Sequence, residues 1–332
     1  MPLHPTVRNF PVKALLVNLN LAIDKAAKVS VLRPGRIYRF ADTLTQPGGK
    51  GMNVARVLKE LGCRPVIAGF VSGHNGRWIA ERLSADKFPS LLVRHGAGES
   101  RICYSIADNR GVSMDFSEEG PAVPPSAQSL LLKKLAQAAG SFRVAAVCGR
   151  ASMGIRKDFY TRLTHGFKKA GCFTAFDACG EPLMEGILAG ADLVKINKSE
   201  FEEAFGVRLS RRGLRKVFDK YSPGGLKALI VTNGPGRTLA VARSGMWTVW
   251  SVPLRRVESP VGAGDSFMAG FIAGFMKGLP FEAGLRLATG CAASDCLTLS
   301  AGRISRGEAG LLAGSVEVRE LQNRTALMIR RP

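Results

Sequence analysis

An aspartate that follows a run of glycines is the strongest chemical signal in the sequence. The segment Val261-Gly262-Ala263-Gly264-Asp265-Ser266-Phe267 leads into the helical pattern MAGFIAGFMKG. Glycines before a helix leave backbone N–H groups unpaired, and these groups form an anion hole with the positive end of the helix dipole. Asp265 beside that hole could accept a proton from a hydroxyl group that attacks a bound phosphoryl group. An isolated segment of this kind is more often a plain glycine-rich turn with Asp265 as the helix N-cap.

A second glycine-rich loop opens another predicted helix near the N-terminus. Pro47-Gly48-Gly49-Lys50-Gly51-Met52-Asn53-Val54-Ala55 runs into the pattern ARVLKELG, with Gly62 as the stop. The loop is not a Walker motif, because GxxxxGK followed by Ser or Thr is absent. Its glycines would let the backbone approach a polyhydroxy substrate, and Lys50 and Asn53 would bring a charge and a hydrogen-bond donor into the same space. A tight turn without a binding role explains the segment about as well.

Asn197 and Glu200 follow a predicted strand in the segment Lys195-Ile196-Asn197-Lys198-Ser199-Glu200. Their spacing is that of a capping box, in which each side chain bonds the other residue's backbone N–H group at the start of a helix. The same pair could lie near a Mg²⁺–phosphate cluster and contact the ion through water, since Mg²⁺ keeps much of its hydration shell. Both roles can hold together, although the capping box is the better interpretation of the segment alone.

A further loop, Thr232-Asn233-Gly234-Pro235-Gly236-Arg237, follows the strand pattern KALIVT. Loops at the carboxyl ends of strands in open α/β sheets commonly bind nucleotide phosphates. A plain hairpin turn fits the same residues. The sequence alone leaves these two interpretations balanced.

Strand and helix patterns alternate through the middle and the end of the chain. Short apolar runs predict strands at 143–148, 172–177, 192–196 and 227–232. Helical patterns predict a helix capped by Ser126 and closed by Gly140, and further helices near 157–170, 181–189, 198–205, 210–221, 265–277 and 281–297. Alternation of this kind predicts a parallel sheet that helices cover on both faces.

Two stretches break this alternation. Residues 25–46 and 100–117 alternate polar and apolar positions and contain turn signals at Pro34-Gly35 and Asn109–Gly111. This pattern is typical of antiparallel hairpins rather than of strand–helix–strand units. Two such hairpins could meet as a small sheet over one edge of the main domain.

The chain is strongly basic, with 47 Lys and Arg against 26 Asp and Glu and a formal net charge of +21. Such a charge can result from compositional drift, attract anionic substrates or bind nucleic acid. The basic residues are dispersed, with small groups at Arg211–Arg212, Arg255–Arg256 and Arg330–Arg331, and no aromatic stripe accompanies them. This pattern favours drift first, substrate attraction second and nucleic acid third.

The cysteines and the apolar runs indicate where the protein works. Seven scattered cysteines, none in a CxxC pair, favour a reducing compartment and argue against a zinc site. Four widely separated histidines give no support for a catalytic triad. No run approaches the roughly 18 apolar residues of a membrane helix, and the short run near the N-terminus is predicted to be a buried strand rather than a signal peptide. We therefore expect a cytoplasmic protein.

Taken in order, the motifs resemble the signatures of the PfkB (ribokinase-like) carbohydrate kinases. PGGKGMNVARVLKELG and SPVGAGDSFMAGFIAG are similar to the two family signatures, and DACGEPL (177–183), KINKSE (195–200) and TNGPGR (232–237) lie between them in the family's order. LNLAIDKAAKV (19–29) resembles the opening of the branch that contains 1-phosphofructokinase, tagatose-6-phosphate kinase and the minor 6-phosphofructokinase. The resemblance covers about residues 13–305.

The resemblance implies a fold and a set of partners. The fold is a single kinase domain over 1–332, an α/β, ribokinase-like three-layer α/β/α sandwich with a mostly parallel central sheet and a small antiparallel β lid from segments 25–46 and 100–117. ATP is implied as co-substrate and Mg²⁺ as cofactor, with room for a monovalent cation and for a homodimer through the lid. Neither nucleic acid nor a membrane is an expected partner.

The resemblance also implies residue roles by position. Asp265 matches the catalytic base, and Gly262, Ala263 and Gly264 match the anion hole. Asp24, Gly48, Gly49, Lys50 and Asn53 match substrate-binding positions, and Arg101 matches a lid arginine that reaches the substrate in the sugar-phosphate branch. Lys195, Thr232, Gly234 and Gly236 match ATP-binding positions, while Asn197 and Glu200 match the Mg²⁺ segment, with contacts largely through water.

Four short segments depart from the family pattern. The lid motif Arg-x-Asn is Arg101-Ile102-Cys103 here, and the Gly-Ser-Leu-Pro turn is Gly149-Arg150-Ala151-Ser152. Lys-Pro-Asn is replaced by Lys195-Ile196-Asn197, and Asn-Pro-Ala-Ile-Asp by Asn20-Leu21-Ala22-Ile23-Asp24. None of these changes alters the base or the anion hole. We therefore expect catalysis to be intact, with sugar recognition as the property open to change.

The expected activity is ATP-dependent phosphorylation of a ketohexose phosphate, of the 1-phosphofructokinase, 6-phosphofructokinase or tagatose-6-phosphate kinase type. A substrate phosphate needs Lys or Arg within hydrogen-bonding distance, and Lys50 and Arg101 meet that need, with Arg33, Arg36 and Arg150 in reserve. One alternative is a kinase of the same fold for an unphosphorylated sugar or a nucleoside. A second is a basic nucleic-acid-binding or regulatory protein without activity. A nicotinamide oxidoreductase is disfavoured because no GxGxxG follows the first strand.

Overall fold

The computed structural model describes residues 13–96, 98–110, 112–150 and 152–321. Its strands are β1 (Lys13–Asn20), β2 (Ala22–Val29), β3 (Leu44–Gly48), β4 (Arg64–Ser72), β5 (Ser90–His95), β6 (Arg101–Asp108), β7 (Ser113–Ser117), β8 (Val144–Cys148), β9 (Phe173–Asp177), β10 (Leu193–Asn197), β11 (Ala228–Thr232), β12 (Thr238–Ala242), β13 (Gly245–Val249) and β14 (Val318–Glu320). Its helices are α1 (Lys50–Glu60), α2 (Gly73–Ala85), α3 (Pro125–Ala138), α4 (Phe159–Lys169), α5 (Glu181–Leu188), α6 (Lys198–Phe205), α7 (Arg211–Tyr221), α8 (Ala263–Met276), α9 (Phe281–Asp295) and α10 (Arg306–Gly314).

Within these residues, ten strands form the main sheet in the order β14-β13-β12-β11-β10-β9-β8-β1-β4-β5. Neighbouring strands from β5 to β11 are parallel, whereas β11 to β14 pair antiparallel at one edge. Strands β8 and β9 are buried throughout, as their continuous apolar runs predict. Because parallel strands end on the same side, their carboxyl-terminal loops meet along one edge of the sheet.

Helices cover both faces of this sheet. On one face, α1, α2, α8 and α9 form a core that includes Leu58 and Phe271. On the other face, α3, α4, α5 and α7 form a core that includes Leu131 and Phe218. Neighbouring residues of β1 enter opposite cores, as expected for side chains that alternate along a strand. The predicted three-layer α/β/α architecture is confirmed.

Helix α8 is held in place by close packing against α9. It is buried from Asp265 to Met276. A Cβ atom on Gly270 would lie 2.7 Å from the Cα of Ala288, and one on Gly274 would lie 3.1 Å from the Cα of Gly284. Glycine is therefore needed at both positions for this approach. The packing fixes the N-terminal turn of α8, which carries Asp265.

A second, smaller sheet has the strand order β3-β2-β6-β7 and forms the lid. The outer pairs β2–β3 and β6–β7 are antiparallel, but the middle pair β2–β6 is parallel. The prediction of a wholly antiparallel lid is wrong for this pair. Strands β2 and β6 follow β1 and β5, which run in the same direction in the main sheet, so the chain enters the lid twice in one direction.

Some predicted boundaries also differ from the structure. The lid strands extend from Ala22 to Gly48 in the first segment, with residues 30–43 between β2 and β3 instead of a tight hairpin turn. Helix α3 begins at Pro125 and has no side-chain cap, so the predicted cap at Ser126 is wrong. Proline suits this position because the first helical N–H needs no partner within the helix.

Gly111, Ala151 and the two ends of the predicted domain lie outside the described residues. In the described part of the chain, no helix has the length and apolar character of a membrane span.

Candidate active site

A cavity of about 480 Å³ lies between the lid and the carboxyl ends of the parallel strands. The predicted site residues Asp24, Gly49, Lys50, Asn53, Arg101, Lys195, Asn197, Glu200, Thr232, Gly234, Gly262, Ala263, Gly264 and Asp265 all line it. Gly48 and Gly236 do not contribute to the lining: Gly48 packs behind Asp24, and Gly236 packs against Asn233 in the β11–β12 turn. The structure thus brings together motifs that are far apart in the sequence.

The N-terminal turn of α8 forms one wall of the cavity. Gly262 is the N-cap, and its φ of 94° is in the left-handed region. A Cβ atom there would lie 2.6 Å from the Cβ of Ala301 and 2.7 Å from Oδ2 of Asp295, so glycine is required for space as well as for conformation. The N–H groups of Gly264 and Asp265 lie in the first turn, where the helix has no backbone carbonyl available to accept their hydrogen bonds. Asp265 lies in the first turn and is not the N-cap.

Asp265 is buried, with 6% of its surface exposed. The side-chain amide Nδ2 of Asn53 donates a hydrogen bond to its Oδ2 at 2.7 Å. Burial raises the pKa of Asp265 to about 6; the charge of Lys50 opposes this shift, and that of Asp177 adds to it. At neutral pH the carboxylate is still mostly ionised, yet it is a stronger base than an exposed aspartate. These are the properties of a general base.

Two lysines share one buried carboxylate beside Asp265. Nζ of Lys50 lies 3.1 Å from Oδ1 of Asp177, and Nζ of Lys195 lies 2.8 Å from Oδ2. Burial opposes ionisation of Asp177, but the charges of Lys195 and Lys50 outweigh it and hold its pKa below the ordinary value. The charge of Asp177 in turn raises the pKa of Lys50. Both lysine side chains are therefore held at the cavity wall, where they can attract phosphate groups.

The first glycine loop wraps around the carboxylate of Asp24. The backbone N–H of Gly49 donates to Oδ2 of Asp24 at 3.2 Å, and a Cβ atom on Gly48 would lie only 1.9 Å from its Cγ. Burial raises the pKa of Asp24, with the charge of Arg56 and the Gly49 N–H opposing the shift. Gly48 thus makes room for a side chain of the protein itself. Asp24 also lines the cavity, where a carboxylate can accept hydrogen bonds from hydroxyl groups.

The lid contributes polar groups and one departure from the expected pattern. Arg101 donates from Nε to the backbone oxygen of Asn20 at 3.3 Å and lines the cavity. Cys103, in place of the expected asparagine, lies directly opposite Asp24 in the β2–β6 pairing and also lines the cavity. Arg150 is exposed and lies outside the lining, as do Arg33 and Arg36. Among the lid residues that the structure describes, Arg101 on β6 and Lys25 on β2 are cations that line the cavity.

Asn197 and Glu200 form the predicted capping box at the start of α6. The Glu200 N–H donates to Oδ1 of Asn197, and the Asn197 N–H donates to Oε2 of Glu200, both at 2.9 Å. Oε1 of Glu200 lies 3.7 Å from Nζ of Lys50. Both residues line the cavity as well, together with Thr232 and Gly234 from the turn between β11 and β12. The capping role and a position in the lining of the cavity are thus compatible.

The donor set fits a magnesium ion that keeps most of its water. The described residues contain no group of three or more His, Cys, Asp or Glu side chains arranged to hold a metal. Both oxygens of Asp177 accept from lysines, and one oxygen of Glu200 is used in the capping box. Mg²⁺ commonly takes one or two protein oxygens and completes its shell with water and substrate phosphates. Asn197 and Glu200 can meet that requirement.

Three residues of the site were not assigned a role from the sequence: Arg56, Asp177 and Asp295. Asp177 ends the predicted strand 172–177, a position that could have marked it as a site residue. Asp295 is 1% exposed, and burial raises its pKa to about 7. The sequence signal for Asp295 is an acidic residue within the mostly apolar segment CAASDCL (291–297). Arg56 lies three residues after Asn53 in α1, one helical turn away, which is the spacing of side chains that can touch.

Comparison with known proteins agrees with this geometry. The model of the pfkB family of carbohydrate kinases matches residues 17–305. The chain is 28% identical to a 1-phosphofructokinase of Haemophilus influenzae over 287 residues, which cover 83% of this chain and 88% of that protein. It is 24% identical to a tagatose-6-phosphate kinase of Staphylococcus epidermidis over 311 residues, or 92% and 99% of the two chains.

Solved structures show the same fold. Phosphofructokinase-2 from Escherichia coli in complex with fructose-6-phosphate superposes with a TM-score of 0.79 at 20% identity, covering 91% of this chain and 98% of that one. A second structure of that enzyme, in complex with potassium, gives the same values. The fold, the arrangement of the motifs and the family match agree: the chain belongs to the pfkB family of carbohydrate kinases.

Proposed function

We propose that this sugar kinase transfers the γ-phosphoryl group of ATP to a hydroxyl group of a ketohexose phosphate, with Asp265 as the general base. The observation that carries the proposal is the position of Asp265. It is a buried carboxylate with a pKa of about 6, in the first turn of a helix, beside two fixed lysines. A base needs a pKa near the working pH, and a helix N-terminus suits the phosphoryl group that it works beside.

In this mechanism the ionised Asp265 accepts the proton of the sugar hydroxyl as that oxygen bonds to the γ-phosphorus. The bond to the ADP oxygen breaks at the same time, and the proton remains on Asp265 until it leaves to water. Backbone N–H groups at Gly264 and Asp265, together with Lys50 and Lys195, balance the negative charge of the transferring group. Mg²⁺, held by Asn197 and Glu200 largely through water, would neutralise phosphate charge. Thr232 and Gly234 would contact the nucleotide.

The sugar would occupy the lid end of the cavity. Asp24 can accept hydrogen bonds from sugar hydroxyls, and Arg101 can bind the phosphate that the substrate already carries. Lys50 lies between the two ends, because it contacts Asp177 and Glu200 on the nucleotide side and lines the same space as Asn53. The relatives named 1-phosphofructokinase and tagatose-6-phosphate kinase, and the E. coli enzyme with its bound fructose-6-phosphate, support a phosphorylated ketose.

The proposal extends to the assembly and the setting of the enzyme. Tyr104 and Phe116 are opposite each other in β6–β7, and Phe116 is 56% exposed, which favours a homodimer through the lid. Lid closure would also exclude water from the transfer step.

We include activation by a monovalent cation in the proposal, since the E. coli enzyme has been solved with potassium. All seven cysteines are free, as in proteins of the reducing cytoplasm.

The test is ADP release with Mg·ATP against fructose 1-phosphate, fructose 6-phosphate, tagatose 6-phosphate, free fructose, ribose and adenosine. Strong turnover of one phosphorylated ketose is the expected result. Asp265→Asn should bind ATP normally and lose roughly 10²–10⁴ in turnover, the usual effect of losing a general base. Turnover of unphosphorylated compounds alone would contradict the substrate class and leave the base in place. Near-normal turnover by Asp265→Asn would remove Asp265 from its role.

A further inference from the structure

Arg56 lies on α1, one side chain removed from Asp265, and is anchored from two sides. Its Nη1 donates to the backbone oxygen of Pro47 in the glycine loop at 2.8 Å. Its Nη2 donates to the backbone oxygen of Ala301, in the loop after α9, at 3.0 Å. The position of the guanidinium group is thus set by two segments that are far apart in the sequence. Nη2 also donates to Oδ1 of Asn53, the residue that bonds Asp265.

The contact with Arg56 decides which way the Asn53 amide faces. An asparagine side chain has one acceptor, Oδ1, and one donor group, Nδ2, whereas arginine has donors only. With Oδ1 turned to Arg56, Nδ2 must face Asp265, to which it donates at 2.7 Å. A hydrogen bond donated to a carboxyl group is stronger when that group is ionised, so the arrangement favours the ionised base. The opposite orientation would present Oδ1 to Asp265 and favour the protonated acid.

We propose that Arg56 is a positioning residue for catalysis: by holding Oδ1 of Asn53, it keeps Nδ2 directed at Asp265 and so keeps the base ionised. This inference rests on the proposed role of Asp265 as general base. Arg56 does not line the cavity and therefore acts through Asn53 rather than on the substrate. Its own charge is retained over the working range, since burial lowers its pKa only to about 10.

Other charges around Asp265 must be separated from this effect. The titratable groups that interact with it are Lys50 and Arg56 on α1, Asp177 on β9, Lys195 on β10, Asp295 on α9 and the thiol of Cys148 on β8, which burial keeps neutral. Loss of the Arg56 charge would by itself raise the pKa of Asp265, in the same direction as loss of the Asn53 hydrogen bond. A single variant of Arg56 cannot distinguish these two causes. A double-mutant cycle with Asn53 can.

The experiment measures kcat/KM against pH for Arg56→Met, Asn53→Ala and the double variant. A hydrogen bond to a charged group is strong enough that its loss should move the acid limb upward by about one pH unit in each single variant. At pH 6 this corresponds to about fivefold lower kcat/KM, with a much smaller loss at pH 8. If Arg56 acts through Asn53, the shift of the double variant is smaller than the sum of the two single shifts, because the Asn53 hydrogen bond can be lost only once. Equal and additive shifts would mean that Arg56 acts by its charge alone and would overturn the proposal.

Two controls complete the design. Arg303→Met removes a nearby arginine whose side chain donates to Gln46 and not to Asn53, so its acid limb should stay in place. Thermal unfolding is recorded for each variant, and Arg56→Gln replaces Arg56→Met if the latter does not fold. An unshifted limb in a folded Arg56 variant overturns the inference while Asp265→Asn remains inactive. An active Asp265→Asn variant with a normal acid limb would overturn the proposed base and this inference together.

Discussion

Replacing Asp177 with asparagine tests whether one buried carboxylate organises both active-site lysines. The side chains of Asp177 and Lys195 are only 1% and 5% exposed, and they form an ion pair at 2.8 Å. Lys50 contacts the second oxygen at 3.1 Å. Asparagine preserves the shape of Asp177 but has no charge and only one acceptor oxygen. We therefore expect Asp177→Asn to lose stability and turnover together.

The stability loss follows from the burial of the Lys195 ammonium group. Removing one partner of a buried ion pair costs roughly 3–5 kcal/mol, because the other charge stays buried without compensation. An unfolding entropy of about 2.1 cal/mol/K per residue gives about 0.7 kcal/mol per degree for a chain of 332 residues. The expected fall in melting temperature is therefore about 4–7 °C. Because the lysines lower the pKa of Asp177, its contribution is present at neutral pH and disappears as the pH falls through the acid range.

Asp192 provides a matched control away from the cavity. It also lies between two lysines, with Lys168 at 2.7 Å and Lys227 at 2.9 Å, but these side chains are 34% and 46% exposed. Water can therefore solvate them when the carboxylate is lost. Melting temperatures from circular dichroism and ATP-dependent turnover are measured for both variants. The reasoning is refuted if Asp177→Asn turns over normally, or if it melts no lower than Asp192→Asn.

Three further predictions concern the base, the anion hole and the lid. The kcat/KM of the wild type should fall below about pH 6 as Asp265 becomes protonated, and a profile that is flat down to pH 4 would contradict this assignment. Gly262→Ala should lose turnover and melt lower, because its φ of 94° and the 2.6 Å approach to Ala301 exclude a side chain; Gly307→Ala, where a Cβ atom has open space, is the control. Arg101→Ala should raise the KM for a phosphorylated ketose by about tenfold or more without changing the KM for ATP, whereas the exposed Arg150→Ala should change neither. Equal KM values for Arg101→Ala and wild type would remove Arg101 from phosphate binding.

The elements that the sequence predicts well are those with local causes. The capping box at Asn197 and Glu200 depends on residues three positions apart, and it is present as predicted. The glycines before α8 also have a local cause, since the chain needs a positive φ at Gly262. Continuous apolar runs identify the buried strands β8 and β9 within one or two residues. In each case the physical requirement and the residues that meet it lie in the same short segment.

The features that sequence reasoning missed depend on distant partners. The Asn53–Asp265 hydrogen bond joins residues 212 positions apart, and the Lys50–Asp177 bond joins residues 127 positions apart. The segment around Asp177 has no local pattern that reveals its lysine partners, and the spacing of Arg56 from Asn53 does not reveal the contact of Arg56 with Ala301. The direction of the β2–β6 pair likewise depends on how β1 and β5 are placed in the main sheet. Such contacts follow from the assembled topology, whereas a capping box can be formed by one segment alone.

The proposed mechanism places phosphoryl transfer and sugar recognition on different parts of the structure. Asp265, the N-terminal turn of α8 and the two lysines belong to the main domain, where packing against α9 and the shared carboxylate of Asp177 fix them. Arg101 and Cys103 lie on β6 of the lid, with Cys103 opposite Asp24 on β2. A substitution on this strand can change the hydrogen bonds offered to a sugar without moving the base. The departure at Cys103 therefore lies on the surface that we propose for sugar binding, and the substrate panel examines that surface independently of the pH profile that reports on Asp265.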